Sequence, residues 1–306
     1  MYERMLVPLD GSELAEVVID YAREVASRLD MEAIVLHVYR SGEAESISMR
    51  RAYVDHVSEM LQCRAVDSSM SHRRRAECRP VRSRSEIREG LPADEILRYA
   101  DEAGVHLILM ATHGYSGIRR WALGSTADKV VRASRVPVWL VRAGMTEERL
   151  RESVTGRTIV VPLDGSDLSE SVLPHIRELA GKGAGMEIVL IRVCEPPTVR
   201  ADYPAASMPR AWEEHYKEEL DRHRRVCRDY LDKVRGRFSG EDIAVRAEVL
   251  FGLPEDKILD YENDTRPALV AMATHGRSGI SRWAFGSVAE RVLMGGSGPL
   301  LLVRPQ

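Results

Sequence analysis

The sequence predicts an α/β protein: two tandem Rossmann-like, doubly wound domains, each a five-stranded parallel sheet flanked by helices. Three observations predict it. The chain repeats itself over its whole length, short apolar runs alternate with amphipathic stretches inside each copy, and most connections between them are short.

The repeat is read directly from the residues. Val7-Pro8-Leu9-Asp10-Gly11-Ser12-Glu13-Leu14-Ala15-Glu16 returns as Val161-Pro162-Leu163-Asp164-Gly165-Ser166-Asp167-Leu168-Ser169-Glu170, with eight of ten positions identical. Residues 112–125, which open Thr112-His113-Gly114 and close Leu123-Gly124-Ser125, return at 274–287 with eleven of fourteen identical. The first pair is offset by 154 residues and the second by 162, so the second copy carries eight extra residues between its motifs. The domains are placed at 1–143 and 157–306, with a polar linker at 144–156 that has room for a helical turn. A length of 306 residues suits two domains of about 150 each.

Each copy is read in the same order. Residues 5–9 form a short apolar strand, and Ser12 is placed to cap a helix carrying Leu14, Val18, Tyr21 and Val25 on one face. Residues 33–38 are continuously apolar, as a parallel strand buried on both faces requires. A helix follows with Tyr53, Val57 and Met60 on one face; its counterpart near 209–235 carries the stripe Trp212, Tyr216, Leu220, His223, Cys227 and Val234. The third strand is expected at 81–87 and at 243–250. Gly90-Leu91-Pro92, echoed by Gly252-Leu253-Pro254, then marks a turn and a helix with proline in its first turn. The fourth strand falls at 105–111 and 268–273, a helix starts at Ser125 and at Ser287, and the last strand falls at 136–141 and 300–303. Right-handed crossovers then give parallel sheets.

The bulk numbers describe an ordinary globular chain, with 44% hydrophobic and 30% charged residues. A net charge of −3 provides no field to gather nucleic acid or acidic membrane, and Arg73-Arg74-Arg75 sits among polar residues as a solvated loop. No apolar run approaches the ~20 residues needed to span a bilayer, and the N-terminus lacks the shape of a signal peptide. Cys63, Cys78, Cys194 and Cys227 form no C-x-x-C pair, so a cytoplasmic, reducing setting is expected. His223 and Cys227 share a helix face, but two residues do not make a metal site.

Ligands of open α/β sheets bind beyond the carboxyl ends of the strands, where the strand order reverses. Both repeated motifs fall there. Asp10 and Asp164 end the first strand of each copy, where a carboxylate can accept hydrogen bonds from ribose hydroxyls or cap the next helix. Gly114, Gly117, Gly124 and Ser125, with Gly276, Gly279, Gly286 and Ser287, lie between an apolar strand and a helix start. Backbone amides and the helix dipole can hold phosphate there. His113 and His275 are candidates to touch that phosphate or to be satisfied by the loop. Arg119, Arg120, Arg277 and Arg282 either neutralise it or face solvent, and Trp121 and Trp283 read as apolar anchors. No G-x-x-x-x-G-K-[ST] occurs, and Gly181-Lys182-Gly183-Ala184-Gly185 follows a helix, which makes it a turn.

At these residues the chain resembles the universal stress protein family, over essentially all of both halves. Nucleotide-binding members show a glycine, two residues, a glycine, nine residues, then Gly-Ser or Gly-Thr. Here the second and third elements are Gly114 with Gly124-Ser125, and Gly276 with Gly286-Ser287, while the first glycine is replaced by Ala111 and Ala273. The resemblance implies an adenine-nucleotide pocket in each half, taking ATP (or ADP or AMP) with Mg. It implies Pro8, Asp10, Pro162 and Asp164 at ribose or adenine, and Val38, Met110, Val193 and Met272 flanking adenine. Thr126 and Val288 would join Gly114, Gly124, Ser125, Gly276, Gly286 and Ser287 at the phosphates. It further implies that the apolar last strands pair the two halves about a pseudo-twofold axis, with a homodimer as the other arrangement. The function expected is a nucleotide-binding stress-response regulator without fast catalysis. The alternatives are a slow ATPase or phosphotransferase, and a scaffold of the same fold that binds no nucleotide.

Overall fold

The computed structural model describes residues 2–42, 47–62, 80–113, 123–182, 185–195, 210–276 and 285–305. The first half runs β1 (Arg4–Pro8), α1 (Glu13–Glu16), α2 (Val18–Leu29), β2 (Glu32–Tyr39), α3 (Ile47–Gln62) and β3 (Arg82–Glu89). It continues through α4 (Pro92–Glu102), β4 (Leu107–Ala111), α5 (Ser125–Ala133) and β5 (Val138–Val141). After the connecting α6 (Glu147–Thr155), the second half repeats the order with β6 (Thr158–Pro162), α7 (Asp167–Glu170), α8 (Leu173–Lys182), β7 (Glu187–Cys194) and α9 (Arg210–Gly236). It ends with β8 (Ala244–Phe251), α10 (Pro254–Thr265), β9 (Leu269–Ala273), α11 (Ser287–Gly295) and β10 (Leu300–Val303).

All ten strands form one sheet in the order β3-β2-β1-β4-β5-β10-β9-β6-β7-β8. Within each half every neighbour is parallel. Among the described strands only β5 and β10 pair antiparallel, with Leu300 opposite Leu140 and Leu302 opposite Val138, and this junction joins the halves. Alternate strand residues feed two cores, one on each face. Met5 and Val7 of β1 belong to the core lined by α2, α3, α8 and α9, and Leu6 to the core lined by α4, α5, α10 and α11. Both cores run across the junction, through Val141 and Val303 on one face and Leu140 and Leu302 on the other. The outermost strands β3 (RSRSEIRE) and β8 (AVRAEVLF) carry charge and are half-exposed, which blunts edges that would otherwise template further pairing.

Several elements differ from expectation for local reasons. The linker holds a nine-residue helix, α6, because Thr146 caps it by accepting from the Arg149 N–H and because Leu150 and Val154 pack on the core. On α3 the buried face is Val54, Val57, Ser58 and Leu61, and Met60 points to solvent. The long α9 buries its stripe only from Cys227 onward, through Leu231 and Val234; Tyr216, Leu220 and His223 are half-buried. Cys227 is joined to Cys194 at the end of β7 as a disulfide, a pairing across 33 residues that their sequence spacing does not announce. It also removes Cys227 as a metal ligand beside His223. Cys63 and Cys78 lie outside the described residues. Among the described residues no helix is long and apolar enough to cross a membrane.

Two arginines one step past the paired strands clasp the halves reciprocally. Arg142, after β5, donates to the carbonyls of Val292 (3.0 Å), Leu293 (2.7 Å) and Gly298 (3.0 Å) at the C-terminal end of α11. Arg304, after β10, donates to the Arg132 carbonyl (3.0 Å) at the end of α5. Helix C-termini carry partial negative charge and unpaired carbonyls, so a cation there is doubly favoured. Burial lowers the Arg142 pKa and the nearby Glu262 carboxylate opposes that. The N-terminal strand is tied to the second half as well. Tyr2 donates its N–H to Glu178 (3.4 Å), and Lys182 bridges Glu178 (3.0 Å) and the Tyr2 carbonyl (3.2 Å). Tyr21 of α2 reaches Ser153 of α6 through its hydroxyl and leans its ring on Trp139, with centroids 6.5 Å apart.

Two predictions follow from these ties. Replacing Arg142 with Ala removes a donor from three buried carbonyls and the cation beside the buried Glu262 carboxylate; chemical denaturation is expected to show a loss of about 2–4 kcal/mol. A loss no larger than that of an exposed arginine variant would remove the clasp from the account. For Glu178, burial raises the carboxyl, but hydrogen bonds from Lys182 and the Tyr2 N–H outweigh it and hold it at about 2 against an ordinary 4.5. A carboxyl held low contributes stability that is complete above pH 4.5 and is lost as pH falls towards 2. Glu178→Gln is therefore expected to melt below the wild type at pH 7, by no more than about 1 kcal/mol given its partial solvation, with the gap closing below pH 4.5.

Candidate functional site

The strand order reverses between β1 and β4 in one half and between β6 and β9 in the other, and a cavity opens beyond each pair of strand ends. The first measures ≈ 350 Å³ and the second ≈ 260 Å³. Their walls correspond element by element. Pro8 ends β1 and Asp10 lies two residues beyond it, Val38 is the last residue but one of β2, Met110 and Ala111 end β4, Gly124 caps α5, and Ser125 and Thr126 open it. Pro162, Asp164, Val193, Met272, Ala273, Gly286, Ser287 and Val288 hold the same places in the second cavity, joined by His275 and Gly276 as His113 joins the first. Gly114, Gly117 and Gly279 lie outside the described residues, as do Arg119, Arg120, Trp121, Arg277, Arg282 and Trp283.

The aspartates do not cap the helix that follows them. Asp10 Oδ1 accepts from the Ser12 N–H (3.1 Å) and hydroxyl (2.6 Å), and Ser12 Oγ in turn accepts from the Ala15 N–H (3.2 Å) as the cap of α1. The second half repeats this, with Asp164 accepting from Ser166 at 2.9 and 2.6 Å and Ser166 accepting from the Ser169 N–H at 3.2 Å. Gly11 and Gly165, at φ of +81° and +85°, make the turn that permits it, a conformation L side chains rarely adopt. One carboxylate oxygen thus fixes the turn, and the carboxylate as a whole is held at the cavity wall. In the second cavity Asp164 also lies against Gly276: a Cβ at that glycine would fall 2.1 Å from Asp164 Oδ2.

The loop before α5 is closed at its base by the Gly124 N–H donating to the Thr112 carbonyl (2.9 Å), and Gly286 donates to Thr274 at the same distance. The histidines stand beside these threonines, with His113 Nδ1 3.2 Å from Thr112 Oγ1 and His275 Nδ1 2.9 Å from Thr274 Oγ1. Gly124 and Gly286 are the N-caps of α5 and α11, and neither helix has a side-chain cap. The first amides of a nine-residue helix therefore meet each cavity with their dipole, an arrangement suited to an anion. Ala111 and Ala273 replace the family pattern's first glycine without strain. Both are buried in the last position of a regular strand, and neither is among the residues with positive φ.

Other wall residues carry no motif. Pro92 and Ile96 of α4 line the first cavity with Met110, and Pro254 and Ile258 of α10 line the second with Met272. The repeated Gly-Leu-Pro turn was their only signal. Leu36 and Ile191 deepen the apolar slot, and Arg40 and Glu195 stand at its mouth, one residue past β2 and β7. Among the described residues no group of three His, Cys, Asp or Glu side chains is arranged to hold a metal ion.

Duplicated doubly wound halves, each with an apolar slot, a turn-fixed carboxylate and an uncapped helix N-terminus at its switch point, define a class of tandem α/β ligand-pocket proteins. The family is settled by comparison. The model of the Universal stress protein family matches residues 1–142 and again 156–304, and the chain belongs to that family. It is 30% identical over 148 residues to Universal stress protein YxiE of Bacillus subtilis (strain 168), an alignment covering 46% of this chain and 100% of that one. A universal stress protein of Mycolicibacterium smegmatis is 23% identical over 311 residues, covering 99% of this chain and 97% of its own. The crystal structure of a universal stress protein from Archaeoglobus fulgidus DSM 4304 shares the fold over 98% of each chain, with a TM-score of 0.62 at 19% identity.

The loop glycines give a test of the local geometry. A Cβ on Gly124 would sit 3.0 Å from the Thr112 carbonyl oxygen, whereas one on Gly286 would meet the Thr274 oxygen at an ordinary 3.5 Å. Both glycines have φ near −60°, which alanine tolerates. Gly124→Ala is expected to cost about 1 kcal/mol in thermal melts, and Gly286→Ala to be neutral or slightly stabilising. Equal effects would contradict the difference in closeness.

Proposed function

We propose that each half binds an adenine nucleotide, ATP in the first instance, and that the protein acts as a nucleotide-responsive regulator in the stress response. The observation that carries this reading is the joint placement of three chemistries in each cavity. An apolar slot bounded by Leu36, Val38, Ile96 and Met110 suits a flat base, and its counterpart is bounded by Ile191, Val193, Ile258 and Met272. A carboxylate at Asp10 or Asp164 suits ribose hydroxyls. An uncapped helix N-terminus with Ser125 or Ser287 suits phosphate oxygens. Membership of the universal stress protein family supports the reading.

These residues bind and orient. The slot removes the base from water, Asp10 sets the ribose by accepting from its hydroxyls, and the amides of α5 hold the phosphates without any proton transfer. Mg, when it accompanies ATP, neutralises phosphate charge. Turnover would further need a group that positions the attacking nucleophile; in this reading the pockets bind, and occupancy is the signal.

Calorimetric titration of nucleotide-stripped protein with ATP tests the proposal. Saturable binding is expected, weakened by about 10-fold or more in Asp10→Ala/Asp164→Ala, the loss of a charged hydrogen-bond acceptor in each pocket. Far-ultraviolet circular dichroism of the same variant checks that the α1 and α7 turns survive. No saturable binding by the intact protein at millimolar ATP would refute the proposal.

A further inference from the structure

The two cavities share a frame but not a charge. Arg40 and Glu195 occupy the same place, each the first residue past the second strand of its half and each on the cavity wall. The described wall of the first cavity holds one aspartate and one arginine, and that of the second holds one aspartate and one glutamate. The formal difference is two charges. Two further differences act in the same direction. The second residue of the uncapped helix is Thr126 in the first cavity, with a hydroxyl to donate, and Val288 in the second, with none. The first cavity is also the larger, at ≈ 350 Å³ against ≈ 260 Å³.

Resting on the nucleotide reading above, we propose that the pockets have diverged in ligand charge. The N-terminal pocket is the polyphosphate site, and the C-terminal pocket favours a nucleoside or nucleotide of lower negative charge. Arg40 and Glu195 determine this specificity. A nucleoside triphosphate bears three to four negative charges, so exchanging a cation for an anion at the cavity mouth acts on each of them. Salt screens the effect without cancelling it over these distances. An uncharged nucleoside feels almost none of it. The ratio of ATP affinity to adenosine affinity is thus the quantity the mouth residue sets.

The test titrates ATP and adenosine, each with and without Mg, into the full chain as wild type, Arg40→Glu, Glu195→Arg and the double exchange. In the wild type one ATP per chain is expected to bind at least about tenfold more tightly than a second, while adenosine binds both pockets within a few-fold. Arg40→Glu is expected to weaken the tight ATP site about tenfold and leave adenosine unchanged, and Glu195→Arg to strengthen the weak ATP site. Both effects should shrink as salt is raised from 0.05 to 0.5 M. Two equivalent ATP sites in the wild type would overturn the proposal and leave nucleotide binding standing. So would an ATP-to-adenosine ratio indifferent to the exchanges, or a C-terminal pocket that takes ATP tightly through Mg held at Asp164 and Glu195. Binding of neither ligand would overturn this proposal and the nucleotide reading together.

Discussion

The structure depends on the antiparallel contact between β5 and β10. These strands, VWLV and LLLV, are fully buried, and in an isolated half each would be the open edge of a five-stranded sheet. An apolar edge in water leaves backbone groups unpaired and side chains wet; pairing the two edges satisfies both at once. The same contact lets the cores on the two faces run through the molecule, so α5 and α11 pack against a ten-stranded sheet and not against half of one. Arg142 and Arg304 then lock each half to the end of a helix in the other. Because α5 and α11 begin at the cavities and end at this seam, the helices that offer their N-termini to a ligand have their C-termini neutralised by the opposite half.

That arrangement orders the site from the seam outward. The two helices are held at one end by arginines and at the other by a glycine whose N–H is bonded to the strand-four threonine. Their first amides therefore have a fixed direction before any ligand arrives, and preorganised donors need little rearrangement on binding. The carboxylate is positioned in a comparable manner. Asp10 is bonded to Ser12, and Ser12 to the start of α1, so its place in the wall follows from a turn that only glycine at position 11 makes without strain.

Much of this was legible in the sequence. The repeat announced two equivalent halves, the apolar runs located the strands to within two residues or so, and the coincidence of Asp10 and Gly124 with strand and helix ends pointed to the carboxyl ends of the strands. What escaped notice has physical reasons. Helical spacing placed Met60 beside Tyr53 and Val57, but the face that packs is Val54, Val57, Ser58 and Leu61, one residue round the helix, a choice made by the neighbours of α3 and not by its periodicity. The stripe on α9 was real in the sequence, yet burial begins only at Cys227. The pairing of Cys194 with Cys227 and the reach of Arg142 to Val292 are tertiary contacts between residues with no local signature. Pro92, Ile96 and Arg40 enter the wall for the same reason: they arrive from elements whose own sequence speaks only of turns and strand ends.

The outer strands β3 and β8, each bearing charged side chains and half-exposed, flank the ten-stranded sheet of the described residues, and the seam is already used within the chain. A symmetric assembly of identical subunits would present every amino-acid change twice, once in each binding site. Here the partner is carried on the same chain, joined through α6 and present at an effective concentration that dilution cannot lower. A residue such as Arg40 can therefore change while its counterpart does not. Two copies that must stay alike to hold the seam are free to become unlike at the rim of each cavity.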